Sequence, residues 1–281
     1  MPEKVVPGPV SEDRCIREAV CIHTKKIFDS CKDKDCIEDL RVYPTRGCQE
    51  VIDRAVSVKA GCAELLYAYI DVEPVTFNRG FYTVDVRYFY RITADAFVGA
   101  ARPVEISGLA VFDKRVILFG SEGSAKVFSS LGQEKALDVQ NLPTRSLPTA
   151  VVESVDPIIL SMKLVDVCEC RPCDCCCEIP PAICACFPEE LVMGGDVHRL
   201  YVTLGQFSII RMERDTQLLI PAYDYCLPEK ECACQGAECG EDPCEIFRKV
   251  QFPVDEFFPP NSVAPKTAAS YQEARSGCCG L

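Results

Sequence analysis

The cysteines are the residues of this chain whose number and spacing could do chemistry. The 281-residue sequence holds 21 of them, and eight fall within VDVCECRPCDCCCEIPPAICACF (165–187). Disulfide-linked residues usually lie about 4.4–6.8 Å apart at Cα, whereas neighbours across a trans peptide lie about 3.8 Å apart. Adjacent thiols such as Cys175, Cys176 and Cys177 therefore pair with each other only under strain. They must find partners across the fold, on a metal ion or on another molecule.

No cysteine occurs from Ala63 to Val167, and the cysteines on either side of this stretch form four groups. The groups are residues 15–62, 168–186, 226–244 and 278–279, with six, eight, five and two cysteines. Because the total is odd, at least one cysteine has no disulfide partner within the chain.

Thiolate metal binding is one chemistry that this spacing permits. The spacing CxxC occurs twice within 165–187. A structural zinc site of this kind takes four cysteine thiolates as ligands. Four thiolates around Zn²⁺ leave a net negative charge, but the 165–187 cluster offers Arg171 against four acidic residues. The 226–244 cluster offers Lys230 against five. This balance disfavours a metallothionein-like protein, which stays the alternative function, and we predict no metal site and no cofactor.

The sequence offers no residues that are arranged for catalysis. Redox catalysis needs a thiol whose pKa is lowered by cations, a helix N-terminus or a nearby His, whereas the clusters are acidic. His23 and His198 lie in β-like or irregular segments, and we interpret them as ordinary packed or surface residues. The sequence contains no P-loop and no glycine-rich dinucleotide motif. We therefore predict that the chain is not an enzyme and has no catalytic residue.

The composition is typical of a folded, acidic protein. The chain is 48% apolar and 26% charged, and a chain of this length buries a core without help from disulfides. Its net charge of −12 argues against nucleic acid as a partner. No stretch is long and apolar enough to span a membrane, and MPEKVVPGPV (1–10) lacks the features of a secretory signal. We expect synthesis in the cytosol and no membrane partner.

The elements that must position the cysteines have the pattern of β-structure. In GFYTVDVRYFYRITADAFV (80–98) alternate residues form an apolar face, and Phe89 is the exception to the alternation. The residues of that face are Tyr82, Val84, Val86, Tyr88 and Tyr90. Further strands are predicted in 65–77, 102–121 (two strands around a turn near Asp113–Lys114), 150–167 and 198–225. This pattern favours mainly antiparallel, sandwich-like β domains with cysteine-rich arms.

Little helix is predicted. The best candidate is DSCKDKDCIEDLRVY (29–43), with Ser30 as its N-cap, and 51–65 is ambiguous between helix and strand. We expect four segments along the chain. They are an N-terminal cysteine-rich arm (1–48), a β domain (49–141), a second β unit containing the 168–186 cluster (142–225) and a cysteine- and proline-rich tail (226–281).

Covalent cross-linking between molecules is the chemistry that the cysteine pattern favours. Clusters that flank β domains, a terminal pair and an odd total suit intermolecular disulfides, which persist in oxidising surroundings. Cys62, next to a predicted strand, is better explained as buried or bridged within the chain. The cross-linking candidates are Cys15, Cys21, Cys31, Cys36, Cys168, Cys170, Cys173, Cys175, Cys176, Cys177, Cys184, Cys186, Cys226, Cys232, Cys234, Cys239, Cys244, Cys278 and Cys279.

The overall pattern resembles the cysteine-rich exosporium proteins of anaerobic spore-forming bacteria, which build the crystalline basal layer around the spore. The resemblance rests on the Cys15–Cys36 segment with SCKDKDCIEDLRVY, the cysteine-free β-rich middle and the later clusters. It implies synthesis in the mother-cell cytosol, assembly at the spore surface and a hexagonal two-dimensional lattice hardened by disulfides. The implied partners are further copies of the chain and other spore-surface proteins.

Overall fold

The computed structural model of the chain describes residues 22–99, 102–123, 147–167, 179–194, 197–218, 247 and 250–257. The strands are β1 (Ile22–Pro44), β2 (Ser57–Pro74), β3 (Phe81–Phe97), β4 (Val104–Phe119), β5 (Thr149–Ser154), β6 (Ile158–Asp166) and β7 (His198–Leu218). The helices that lie wholly within these ranges are α1 (Arg46–Ile52), α2 (Pro181–Cys184) and α3 (Val254–Phe257).

All seven strands belong to one antiparallel sheet with the order β2-β3-β4-β1-β7-β5. β5 and β6 pair with successive stretches of β7, at 208–213 and 198–205. β2 at the other end of the sheet lies against β5 and β6, and Leu65 N–H donates to Asp156 Oδ1 at 2.9 Å. The sheet is therefore nearly closed and barrel-like. The prediction of a mainly antiparallel β fold with little helix is confirmed, with the facing layers formed by opposite walls of one curled sheet.

The apolar core fills the interior of this curled sheet. Alternate residues of β3 are buried there, and they include the five residues of the predicted apolar face. β7 contributes Leu204, Ile210 and Met212 to the same cluster. Period-two alternation predicted this face correctly because one side of β3 is dry and the other is wet.

Phe89, the exception to the alternation, is buried on the outer face of the sheet. It packs with Leu109 of β4 and with Ile183 and Phe187. These last two residues belong to segment 179–194, which contains α2 and covers this part of the outer face. An outward-facing aromatic residue on the sheet therefore has an apolar partner supplied by a later part of the chain.

Residues 29–43 are strand, and the predicted helix there is wrong. They lie within β1, which pairs with β7 from Ile22 to Val42. The buried positions of this stretch alternate, but Asp33 and Asp35 are among them, so the apolar period that indicates a strand is interrupted. The ambiguous segment 51–65 contains the end of α1 and the beginning of β2.

Residues 104–119 form one uninterrupted strand, so the turn predicted near Asp113–Lys114 is wrong. On the outer face, Asp113 Oδ1 lies 2.6 Å from Arg87 Nε of β3. On the inner face, the neighbouring Lys114 contacts carboxylates of β1. The charged pair has the composition of a turn, but its side chains have partners on opposite faces of the sheet.

The sheet draws its strands from three of the four predicted segments, because β1 comes from 1–48, β2–β4 from 49–141 and β5–β7 from 142–225. In the predicted tail, the rings of Phe247 and Phe252 lie 4.6 and 5.5 Å from that of Phe207. The segment boundaries stay predictions. None of the helices that the structure describes has both the length and the apolar character needed to cross a bilayer.

Candidate functional site

Six cysteines lie within the described residues, and they divide into bridged and free thiols. Cys31, Cys36 and Cys62 are disulfide-bonded within the chain. Cys31 and Cys36 are cross-linking candidates, and both sulfurs are therefore occupied in this structure. Cys62 lies in β2 and fits the intrachain explanation expected for it. The free thiols are Cys48, Cys184 and Cys186.

The remaining cross-linking candidates lie outside the described residues. They are Cys15, Cys21, Cys168, Cys170, Cys173, Cys175, Cys176, Cys177, Cys226, Cys232, Cys234, Cys239, Cys244, Cys278 and Cys279. Their role stays a prediction.

Cys184 and Cys186 lie at the end of α2 and just beyond it, and both are exposed. The helix begins at Pro181, whose fixed φ suits a first helical position. Arg91 of β3 donates from Nη2 to the Cys186 carbonyl at 2.8 Å. The Arg91 guanidinium also lies 5.6 Å from the centre of the Phe187 ring. The sheet thus holds this segment by apolar and polar contacts while leaving two thiols accessible two residues apart.

Cys48 differs from these two thiols in its surroundings. It lies on α1 and is half-buried, and its Sγ accepts a hydrogen bond from Ser107 N–H at 3.3 Å. Ser107 belongs to β4, so the Cys48 sulfur is directed toward the sheet. A second molecule has less access to this sulfur than to Cys184 or Cys186.

His198 is packed against neighbouring elements, which is one of the two ordinary placements expected for the histidines. Its Nε2 lies 3.0 Å from Asp166 Oδ1, and its Nδ1 lies 3.0 Å from the Ile52 carbonyl oxygen. His198 thereby joins the end of α1 to β6 and the start of β7. His23 is exposed near the start of β1.

Metal-binding geometry is absent from the part of the chain that the structure describes: no group of three or more His, Cys, Asp or Glu side chains there is arranged to hold an ion. The CxxC steps at 170–176 and the 226–244 cluster lie outside that part. The alternative of thiolate metal binding therefore stays a prediction.

A buried charged triad, which the sequence pattern did not indicate, lies between β1 and β4. It consists of Asp33, Asp35 and Lys114, and each side chain is less than one-tenth exposed. Lys114 Nζ contacts Asp33 Oδ2 and lies 2.5 Å from Asp35 Oδ2. Burial lowers the pKa of Lys114, but the two nearby carboxylates outweigh burial, so its pKa is raised overall. Two aspartates at i and i+2 of a strand are the signal that could have indicated the triad.

Polar residues of β3 and β7 surround the triad. Tyr90 donates to Gln206 Oε1, and the Tyr88 and Tyr90 rings stack with centroids 6.1 Å apart. Burial is the main cause that raises the pKa of both phenols, and the negative charge of Asp35 adds to the effect. The interior beside the triad thus favours the neutral form of these two phenols.

Comparison with known proteins relates the chain to a spore protein. The chain is 25% identical to Exosporium protein A of Clostridium sporogenes over an alignment of 278 residues, covering 92% of this chain and 80% of the relative. No protein-family model matches the chain, and no solved structure matches it. The similarity extends over nearly the whole cysteine-rich sequence and is not confined to one motif. The resemblance to the cysteine-rich exosporium proteins is thereby confirmed, and the chain is a homologue of Exosporium protein A.

Proposed function

We propose that the chain is a structural protein of the spore exosporium, made in the mother-cell cytosol and assembled at the spore surface. It forms a two-dimensional, hexagonal lattice with copies of itself, cross-linked by intermolecular disulfides, and it contacts other spore-surface proteins. The observation that carries this proposal is the alignment with Exosporium protein A across 92% of the chain. The protein acts as a building block and not as an enzyme.

The exposed thiols support the cross-linking part of the proposal. A disulfide requires the two Cα atoms to approach within about 4.4–6.8 Å, so the sulfur must lie on a surface that another molecule can touch. Cys184 and Cys186 meet this requirement because α2 covers the outer face of the sheet. Two thiols at one place also offer two attachment points, so linkage tolerates a small error in register.

The sheet supports the role of a building block. Its apolar cluster draws residues from β1, β2, β3, β4, β6 and β7. The core of the subunit therefore contributes more to the stability of the fold than any one disulfide does. The segment that bears Cys184 and Cys186 packs on this sheet through Ile183 and Phe187. A force applied through an intermolecular bond at either thiol would therefore be transmitted to the sheet.

Non-reducing electrophoresis after air oxidation tests the proposal. We expect a ladder of high-mass species that a reductant collapses to the single-chain mass of 31.1 kDa. Electron microscopy of the same oxidised sample is expected to show sheets. A chain that stays monomeric after oxidation would contradict both cross-linking and assembly.

A pair of cysteine variants separates the exposed thiols from the protected one. The double variant Cys184→Ser/Cys186→Ser is expected to form fewer high-mass species than the unaltered chain. Cys48→Ser is the matched control and is expected to leave the ladder unchanged, because Cys48 is half-buried. An unchanged ladder in the double variant would exclude these two thiols from the cross-links.

A further inference from the structure

Side chains, more than backbone pairing, hold β1 and β4 together. The two strands are neighbours in the sheet, yet among the described residues their backbones pair only between Val42–Pro44 and 108–110. β1 pairs with β7, in contrast, along most of its length. Beyond Val42–Pro44, side chains connect β1 to β4: Asp29 Oδ2 accepts from Phe119 N–H at 3.1 Å, and the charged triad joins the strands in between.

The triad places an amine and a carboxyl group in direct contact. Lys114 Nζ touches Asp33 Oδ2, and Asp35 supplies a second carboxylate 2.5 Å from the same nitrogen. Amide formation between free amines and carboxylic acids is slow in water, partly because the partners rarely meet in a reactive geometry. Holding reacting groups together provides effective molarities that reach about 10⁵–10⁸ M. The sheet supplies this positioning because both strands are fixed in it.

The two carboxylates favour the ammonium form of Lys114 and raise its pKa, so the reaction must begin with a proton transfer within the triad. The three side chains are almost fully buried, and Val86, which is opposite Lys114 on β3, is 1% exposed. Transfer of the ammonium proton to one of the two carboxylates supplies the neutral amine and removes two buried charges at once. Because the triad has two carboxylates, one can be protonated as the electrophile while the other stays ionised as a base.

We propose that Lys114 Nζ and Asp33 Cγ condense into an intramolecular amide bond, with Asp35 as the proton-transfer group. The neutral amine attacks Cγ of the protonated Asp33 carboxyl group and forms the N–C bond. The Asp35 carboxylate accepts a proton from the nitrogen and delivers it to the departing hydroxyl. The Cγ–O bond breaks, and one water molecule leaves. The reaction consumes no oxidant, reductant or cofactor.

The bond would join β1 to β4 across 81 residues of sequence, where backbone pairing between these strands has ended. Unlike a disulfide, an amide persists in a reductant. The subunit would therefore contain a cross-link that holds the sheet together before and after any oxidation of the cysteines. This inference does not rest on the proposed exosporium function.

Mass spectrometry of the full chain, reduced and alkylated, tests the proposal directly. The expected intact mass is lower than the sequence mass by one water molecule, and fragmentation is expected to yield a branched peptide that joins Lys114 to Asp33. An intact mass equal to the sequence mass overturns the proposal. A water loss that maps to another pair of residues overturns it as well.

Three variants test the assigned roles. Lys114→Arg keeps a cation but lacks the amine, so it is expected to have its full sequence mass, and a persisting water loss would overturn the assignment. Asp33→Asn is expected to lose one ammonia molecule in place of water. Asp35→Asn is expected to slow bond formation by about 100-fold, the lower end of proton-transfer catalysis. Equal rates of bond formation in Asp35→Asn and the unaltered chain overturn the role of Asp35. The intact mass of the unaltered chain shows whether the amide bond exists, even where a variant fails to fold.

Discussion

At the scale of single residues, Tyr88 and Tyr90 show what the interior of the sheet does to a titratable group. Both side chains are fully buried, and Tyr90 donates to Gln206. Burial favours the neutral phenol over the phenolate, and the nearby Asp35 charge favours it further, so the pKa of each hydroxyl lies above the ordinary tyrosine value of about 10. Ionisation of these two phenols therefore makes the stability of the fold depend on pH in the alkaline range.

We expect stability to fall as the pH rises above about 10. The unfolded chain loses the phenolic protons near that pH, whereas the folded chain retains them up to a higher pH, so deprotonation favours unfolding over this window. Below about pH 10 the full contribution of both tyrosines is present. An absorbance titration should show Tyr88 and Tyr90 ionising only as the sheet unfolds.

Two phenylalanine variants test the assignment to the buried tyrosines. Tyr88→Phe should reduce the absorbance change that accompanies alkaline unfolding, and Tyr69→Phe, at an exposed position, is the control that should leave this change unaltered. Ionisation of Tyr88 and Tyr90 near pH 10, with the circular dichroism of the sheet unchanged, would contradict the prediction.

At the scale of elements, the pairing of β1 with β4 depends on a close approach at Gly108. A Cβ atom on this residue would lie 2.7 Å from the Tyr43 carbonyl oxygen and 2.7 Å from Val42 Cγ1. Both contacts belong to the three-residue stretch where the strands are paired. The absence of a side chain at Gly108 lets the backbones meet there.

Gly108→Ala is expected to lower the free energy of unfolding by about 1–3 kcal/mol, the usual cost of overpacking, as measured by urea denaturation. The matched control is Gly194→Ala, since no heavy atom lies within 4 Å of a Cβ placed at Gly194. The control should change stability little. Equal free energies of unfolding in the two variants would contradict the prediction, because the close approach at Gly108 would then contribute nothing to stability.

At the scale of the whole molecule, two kinds of bonding have separate tasks. The apolar cluster inside the sheet holds the subunit together, and the exposed thiols are available to connect it to others. Burial of apolar surface contributes about 25 cal/mol per Å², so a core that spans most strands outweighs single disulfides, which contribute about 2–4 kcal/mol each. The fold and the assembly should therefore respond differently to a reductant.

Reduction is expected to remove the high-mass species while retaining the β-sheet signal in far-ultraviolet circular dichroism. Loss of the bridges at Cys31, Cys36 and Cys62 should lower stability without unfolding the sheet at room temperature. The chain is alkylated after reduction so that no bridge re-forms, and an oxidised sample is the control. Disappearance of the sheet signal on reduction would show that disulfides, and not the apolar core, maintain the fold.

The sequence by itself determined the class of the fold and one buried face of its core. Alternation in 80–98 predicted the buried face of β3, because an antiparallel strand with one dry face repeats every two residues. The number of cysteines and the acidic composition indicated cross-linking in preference to catalysis, and the pattern as a whole resembled the exosporium proteins to which the chain is related.

Only the tertiary structure decided which residues meet. Asp33, Asp35 and Lys114 occupy buried positions that local patterns assign to apolar residues, because their partners lie about 80 residues away along the chain and are brought together by the sheet. The same holds for the thiols: Cys48 and Cys184 both lie on short helices, but packing against β4 protects only Cys48. Periodicity reports which side of an element is dry, whereas the identity of each partner depends on the path of the whole chain.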